Sequence, residues 1–416
     1  MKAVPPALPP NTSAETPADD APATVEPAGH RQADFPLVIG ALICVHASMA
    51  ATRVAASLLV LSLGYAEWVV GGLLSLFAVA PIVMSMWAGR LADRHGLHRP
   101  LGVGVVMATC GAGLAAVTQH PAALALAALA TGGAIAVAAV AIQREAGLMA
   151  RDAADLKRVF SWVALGPAVS NALAPITVGL LIDHVGYASG FVFAAVLPVL
   201  AWLIASRLPR QSARASAQAA GRAPVSALTL LALPMFVPLL AVNLALSSCW
   251  DAHSFVVPVL GHARSLSAST IGLLLGAFAV AATVVRLGIS RWSASIDEGR
   301  ALRYAMVMAS ALCVSYAWLP GTAGMLAGSA LLGLALGSVQ PMILALLHQV
   351  TPADRHGQAL GVRMVATNAA TIVMPLGFGL LANLTGLPAA PLLLMAGLVA
   401  LALWPARLLH GHALPG

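Results

Sequence analysis

Charge is what this sequence has least of. Asp, Glu, Lys and Arg supply 9% of its 416 residues, against about 25% in a soluble domain, so water is not the main solvent of the folded chain. Motifs that carry chemistry are missing too: no glycine-rich phosphate loop followed by lysine, no His-Glu-x-x-His, no cysteine cluster. Their absence argues against a soluble catalytic domain and an ATP-driven pump; we expect no enzyme, no cofactor and no metal. Four cysteines (Cys44, Cys110, Cys249, Cys313) sit in apolar stretches without paired spacing, as small core residues do. Residues 1–34 lack the basic start, apolar stretch and cleavage site of a signal peptide. Rich in Pro, Ala, Thr and acids, they cannot bury a core, and a disordered cytoplasmic tail is expected.

Apolar residues fill the space that charge leaves: they are 60% of the chain, with a mean hydropathy of +0.89. Runs of the length a helix needs to cross a bilayer recur near 36–63, 68–88, 100–118, 121–144, 158–182, 187–206, 228–257, 269–291, 302–319, 323–348, 358–384 and 388–408. They lack the alternation of barrel strands and must satisfy their own backbone. The fold class is an all-α membrane protein of twelve transmembrane helices. Basic residues such as Arg90, Arg94, Arg99, Arg207, Arg300 and Arg355 fall on one side, and only Arg264 on the other. This places both termini in the cytoplasm, with the plasma (inner) membrane as the setting. The net charge of +7 is thereby explained by topology, with no nucleic-acid partner.

A polar, basic linker at 207–227 separates six spans (35–206) from six more (228–410). The halves repeat. Ala174-Pro175 to Val185-Gly186 matches Met374-Pro375 to Thr385-Gly386 at an offset of 200, and Phe77-Ala78-Val79-Ala80 recurs as Phe278-Ala279-Val280-Ala281 at 201. Equal topology in both copies implies two pseudo-symmetric six-helix bundles about an axis along the membrane normal, with the substrate site between them.

Between spans 2 and 3, Gly89, Arg90, Leu91, Asp93, Arg94, Gly96 and Arg99 spell G-x-L-x-D-R-x-G-x-x-R. The pattern, together with the repeat, resembles the major facilitator superfamily of secondary transporters over residues 35–408. The resemblance implies a cytoplasmic latch at this loop, with Glu145 placed to pair with Arg90 or Arg94. Leu97 and His98 stand where that family usually has basic residues. Gly166-Pro167-Ala168-Val169-Ser170-Asn171 resembles the helix 5 motif of the family's proton-coupled drug and metabolite exporters, with Ser170 and Asn171 replacing two glycines.

Ionisable and amide groups deep in lipid are costly and call for a reason. Arg53 lies roughly 16 Å from the outer end of span 1, too far to snorkel, and His46 is two turns away on the same face. Asp251 is the one acid well inside a span and maps by the repeat to Ala50, near Arg53; a lone intramembrane carboxylate is a natural proton carrier. Pro258, however, can end span 7 early and leave Asp251 near the outer mouth, with His253 interfacial. Arg286 and Arg363 lie near cytoplasmic ends, where snorkelling competes with a site role. Asn171, Asn368 and Gln340, the last beside Pro341, either glue helices or touch substrate. The excess of Arg53, Arg286 and Arg363 over Asp251 favours an anionic or zwitterionic small molecule. We therefore expect a monomeric, proton-coupled secondary transporter in the lipid bilayer, working by alternating access in the direction of efflux. Proton-symport uptake of an organic anion is the alternative, and a non-transporting membrane sensor is a second class.

Overall fold

The computed structural model describes residues 34–149, 153–209, 227–233, 235–292, 297–352 and 355–408. The expected tail up to residue 33 and the linker from 210 to 226 lie outside them. The described chain is helical and contains no strand: α1 (Phe35–Ser62), α2 (Glu67–His95), α3 (His98–Thr118), α4 (Pro121–Met149), α5 (Ala153–Val185), α6 (Tyr187–Ala205), α7 (Phe236–Ala263), α8 (Ala268–Trp292), α9 (Glu298–Ser315), α10 in two segments (Gly321–Gly337 and Val339–Val350), α11 (His356–Thr385) and α12 (Ala390–Leu408). All odd-to-even turns lie on one side, here the turn face. The opposite side, where both described ends lie, is the terminal face.

Local chemistry sets the helix ends. Gly186 and Gly386, one repeat apart, close α5 and α11 with φ of 108° and 65°, conformations open to glycine at little cost. The motif between α2 and α3 is mostly helical: α2 runs through Gly89 and Asp93 to His95, and the chain turns only at Gly96, φ 65°. Span 7 also differs from expectation. Residues Ala227–Ala232 form a 3₁₀ turn, α7 starts at Phe236, and it continues through Pro258 to Ala263.

Eleven described spans are long and apolar enough to cross a membrane. At 28 residues, α7 has the length without the hydropathy, because Asn243, Ser247, Ser248, Asp251, His253 and Ser254 interrupt it. Of the described helices of that length it is the one that falls short, and it carries Trp250 and Asp251 of the cavity.

Prolines inside helices free the carbonyl four residues back, since they have no N–H to give it. Pro198 of α6 leaves the Ala194 carbonyl open, and the Ser48 hydroxyl of α1 donates to it at 2.7 Å. Pro341 does the same for Gly337 in α10, with a consequence for the cavity described below. The repeat is visible in matching side-chain bonds. Thr109 of α3 donates to the Ala195 carbonyl at 3.2 Å, and Ser310 of α9, at offset 201, donates to Ala396, also at 201, at 2.9 Å.

The halves touch through two related helix pairs, α2 on α11 and α5 on α8. Gly71 packs directly on the Pro375 carbonyl, and its counterpart Gly272 on the Pro175 carbonyl. Gly379 lies against the Glu67–Trp68 backbone as Gly179 lies against Ala268–Ser269. Small residues let backbones approach this closely where lipid gives helices no hydrophobic reason to associate. These contacts lie toward the turn face. There the Asp183 carboxylate of α5 also accepts the backbone N–H groups of Ala268 (3.0 Å) and Ser269 (2.8 Å) at the start of α8. A carboxylate at a helix N-terminus meets unsatisfied donors and the positive end of the helix dipole.

Candidate functional site

Midway across the helices, between the halves, is a cavity of about 240 Å³. Pro167, Ala168 and Asn171 of α5 form its first-half wall; Trp250, Asp251, Arg286 and Gln340 stand opposite. A smaller one, about 60 Å³, adjoins it and is lined by Arg53, Ser57, Asn171, Trp250 and His253. Asn171 and Trp250 border both.

Asp251 is 7% exposed and accepts the Thr371 hydroxyl at 3.3 Å. Because α7 continues past Pro258, Asp251 stays mid-helix and away from the outer mouth. The charge that acts on it is Arg53, on α1 of the other half. Among the described residues no side chain hydrogen-bonds the Arg53 guanidinium. An arginine and a carboxylate thus attract each other across the interface of the halves while each keeps free valences toward the cavity.

Arg286 is anchored by sequence at a distance. With Pro341 unable to donate, the Gly337 carbonyl is available, and Arg286 Nε donates to it at 3.2 Å. The guanidinium lies 5.5 Å from the Trp250 ring centroid, a cation–π distance. Arg363 does not snorkel: it donates to Gln340 Oε1 at 2.9 Å and to Asn243 Oδ1 at 3.4 Å, leaving a buried Nε without a partner. Asn243 in turn donates to Thr367 at 3.0 Å.

Other expected residues fall elsewhere. His46 borders neither cavity, and its buried Nε2 has no partner. Asn368 is exposed on α11, outside both cavities. His253 was read as interfacial; it is fully buried, and α7 extends nearly three more turns beyond it, to Ala263. Gly166 packs on Leu42 of α1, and the Ser170 hydroxyl is shared between the Ile43 carbonyl of α1 (2.8 Å) and Gly166 (2.9 Å). The serine that replaces a glycine there ties α5 to α1. At the terminal face Asp93 is exposed and pairs with Arg144 of α4 at 3.2 Å, within one half. Arg90, Arg94 and Arg99 are exposed, whereas Glu145 is buried in α4. Cys249 and Cys313, far apart in sequence, meet between α7 and α9 as free thiols.

Trp250, Ser247, Thr283 and Thr371 were missed. A Trp at the centre of a polar-interrupted span, directly before an Asp, was the available signal. The threonines gave none, since they also serve as ordinary helix residues.

Comparison with known proteins matches this architecture. The family model described as Major Facilitator Superfamily covers residues 38–328. Among solved structures, the nucleoside transporter NupG aligns with a TM-score of 0.74 at 14% identity, covering 92% of this chain and 99% of that one. A POT family transporter in complex with 5-aminolevulinic acid gives 0.69 at 11%, covering 91% and 96%. A bacterial homolog of the human lysosomal transporter Spinster, in an inward-facing and occupied conformation, gives 0.71 at 11%, covering 91% and 96%. No curated protein matches by sequence. Two repeated six-helix halves, a cavity between them and a family match over most of the chain agree: this protein belongs to the major facilitator superfamily.

Proposed function

We propose that the chain exports a small anionic or zwitterionic organic molecule in exchange for protons. It would do so as a monomer in the plasma membrane, with the terminal face and both termini cytoplasmic. One observation carries the reading: Arg53 of the first half faces Asp251 of the second beside a cavity that also contains the Trp250-stacked Arg286. Guanidinium groups suit a carboxylate or phosphate, and a single buried carboxylate can exchange a proton as substrate comes and goes.

Alternating access supplies the cycle. The closest contacts between the halves lie toward the turn face, which supports an inward-facing arrangement, with substrate entering from the cytoplasm. Binding between Arg53 and Arg286 would draw the halves together. Opening at the turn face would then release the substrate, and protonation of Asp251 would weaken the attraction to Arg53 and allow the return. The latch around Asp93 would act on the terminal face during that closure.

The test uses the purified full chain in vesicles, an imposed pH gradient and a radiolabelled panel of amino acids and small carboxylates. Acid outside should drive at least one of them from the side of the terminal face to the other. No movement of any panel member, or movement indifferent to the gradient, would overturn the reading.

A further inference from the structure

A second polar cluster lies beside the site, and the transport mechanism above makes no use of it. His253 Nε2 is 3.0 Å from the Ser329 hydroxyl of α10, and that hydroxyl is 2.7 Å from the phenol oxygen of Tyr316 at the end of α9. All three residues are fully buried. The imidazole stacks on Phe278 at 4.2 Å, with the Tyr316 ring edge-on to it at 5.8 Å. Its Nδ1 is buried with no hydrogen-bond partner, and the residue borders the smaller cavity with Arg53. At the other end, Tyr316 opens the 3₁₀ turn Tyr316–Trp318 on the turn face. Arg264 holds that turn through the Ala317 (2.6 Å) and Leu319 (3.0 Å) carbonyls.

The internal repeat provides a control for the role of packing. At the offset of 201 fixed by Phe77/Phe278 and Thr109/Ser310, these positions correspond to Thr52, Ala115 and Ala128. All are fully buried, and Thr52 bonds its own helix at the Ser48 carbonyl. The first half fills the same sites with one self-satisfied threonine and two alanines. The fold therefore does not require an imidazole, a hydroxyl and a phenol here, and a buried ring nitrogen left unpaired is an expense that packing does not explain.

We propose that His253, Ser329 and Tyr316 form a proton relay between the cavity and the turn face, with His253 at its cavity end. The inference rests on the proton-coupled reading above. In one direction of the chain, Nε2–H donates to Ser329, whose hydrogen points to the Tyr316 oxygen, and Nδ1 carries a lone pair. A proton from cavity water or the Asp251 carboxyl forms an N–H bond at Nδ1, giving an imidazolium. The Nε2–H bond then breaks as its proton passes to the Ser329 oxygen. The serine hydrogen moves to the phenol oxygen, and the original phenol proton leaves to water once the turn face opens. One proton enters, one leaves, and the chain ends reversed with no net charge gained. Passage inward is the same sequence backwards, and reorientation of the ring and hydroxyls resets it.

The ionisable groups near His253 are identifiable helix by helix. Arg53 comes from α1; Cys249 and Asp251 from α7 itself, with Arg264 just past its end; Arg286 from α8 through Trp250; and Cys313 and Tyr316 from α9 and its turn. The sequence of α10 holds only His348, far down its second segment, and that of α11 holds His356 and Arg363 toward the terminal face.

The experiment is nitrogen-15 spectroscopy of ring-labelled histidine in the full chain in lipid nanodiscs, the His253 signals being those absent from His253→Gln. Wild-type His253 should exchange its Nε2 hydrogen with solvent. Ser329→Ala, which copies the first half's Ala128, and Tyr316→Phe should each slow that exchange by about tenfold. Variants exchanging at the wild-type rate, or faster because the triad only holds the fold together, would overturn the relay. No substrate enters the measurement. Exchange that the variants slow, in a protein whose flux ignores pH, would remove the coupling reading alone, whereas exchange indifferent to the variants, with pH-driven flux, would remove the relay alone.

Discussion

The carboxylate of Asp183, on the last turn of α5, accepts the N–H of Ser269, the second residue of α8, at 2.8 Å. The bond joins the two halves at the turn face, and Ala268 doubles it at 3.0 Å. In Asp183→Asn the amide keeps one acceptor and loses the charge. Asp183 is exposed, so the loss should be about 1 kcal/mol, roughly fivefold in the ratio of closed to open turn face. Spin-label distances between Val185→Cys and Ala263→Cys, on a cysteine-depleted background, should show a larger long-distance population. An unchanged distribution would mean that the bond does not hold the halves together.

Gly71 and Gly72 make a matched pair. A Cβ at Gly71 would fall on the Pro375 carbonyl, and one at Gly72 meets nothing within 4 Å. Gly71→Ala should cost about 1–3 kcal/mol by overpacking, whereas Gly72→Ala should be near neutral. Melting of the two detergent-extracted variants, with Gly272→Ala as the symmetry partner of the first, measures the difference. Equal melting would show that the helices separate without cost.

Arg53 distinguishes site from scaffold. Arg53→Lys keeps the charge and loses the planar fork, so it should raise the apparent substrate constant, and Arg53→Ala should abolish transport with the protein still inserted. Loss of a charge-assisted contact is worth about 1.5–3 kcal/mol, roughly ten- to a hundredfold in affinity. Binding and melting on the same preparations decide the matter. Lower melting with unchanged affinity assigns Arg53 to the scaffold.

Asp251→Asn keeps the Thr371 contact within reach and removes the exchangeable proton. Gradient-driven accumulation should vanish while exchange of labelled for unlabelled substrate continues. A variant that still concentrates substrate moves the coupling proton elsewhere.

Asp93→Asn breaks an exposed pair with Arg144, worth about 0–1 kcal/mol at a surface. Stability should barely change, and turnover should slow, because the pair sits in the terminal-face segment that reorganises in the proposed closure. Wild-type turnover would remove Asp93 from the cycle.

The spans and the repeat were legible because lipid enforces length and apolarity on every crossing, and because two copies of one pattern fix an offset. Arg53 and Asp251 were legible for the converse reason: charge in hydrocarbon stands out. The end of α7 was not, since Pro258 sits inside a helix that continues to Ala263. Asp183 lay within the repeated stretch and was not singled out. Its partners are backbone N–H groups some 85 residues away, and backbone donors leave no mark in a sequence. His253 was misplaced because its depth depends on how far α7 runs beyond it, which a proline-based boundary gets wrong.

The Gly337 carbonyl that holds Arg286 is open only because Pro341, one turn along α10, has no hydrogen to offer it. The address of a cavity charge is therefore written in a residue outside the cavity wall. Pro341→Ala would close the ladder, compete for that carbonyl and free the guanidinium, which already lies over Trp250, to move within the cavity. A change at position 341 would therefore move a charge of the cavity without altering any residue of its wall.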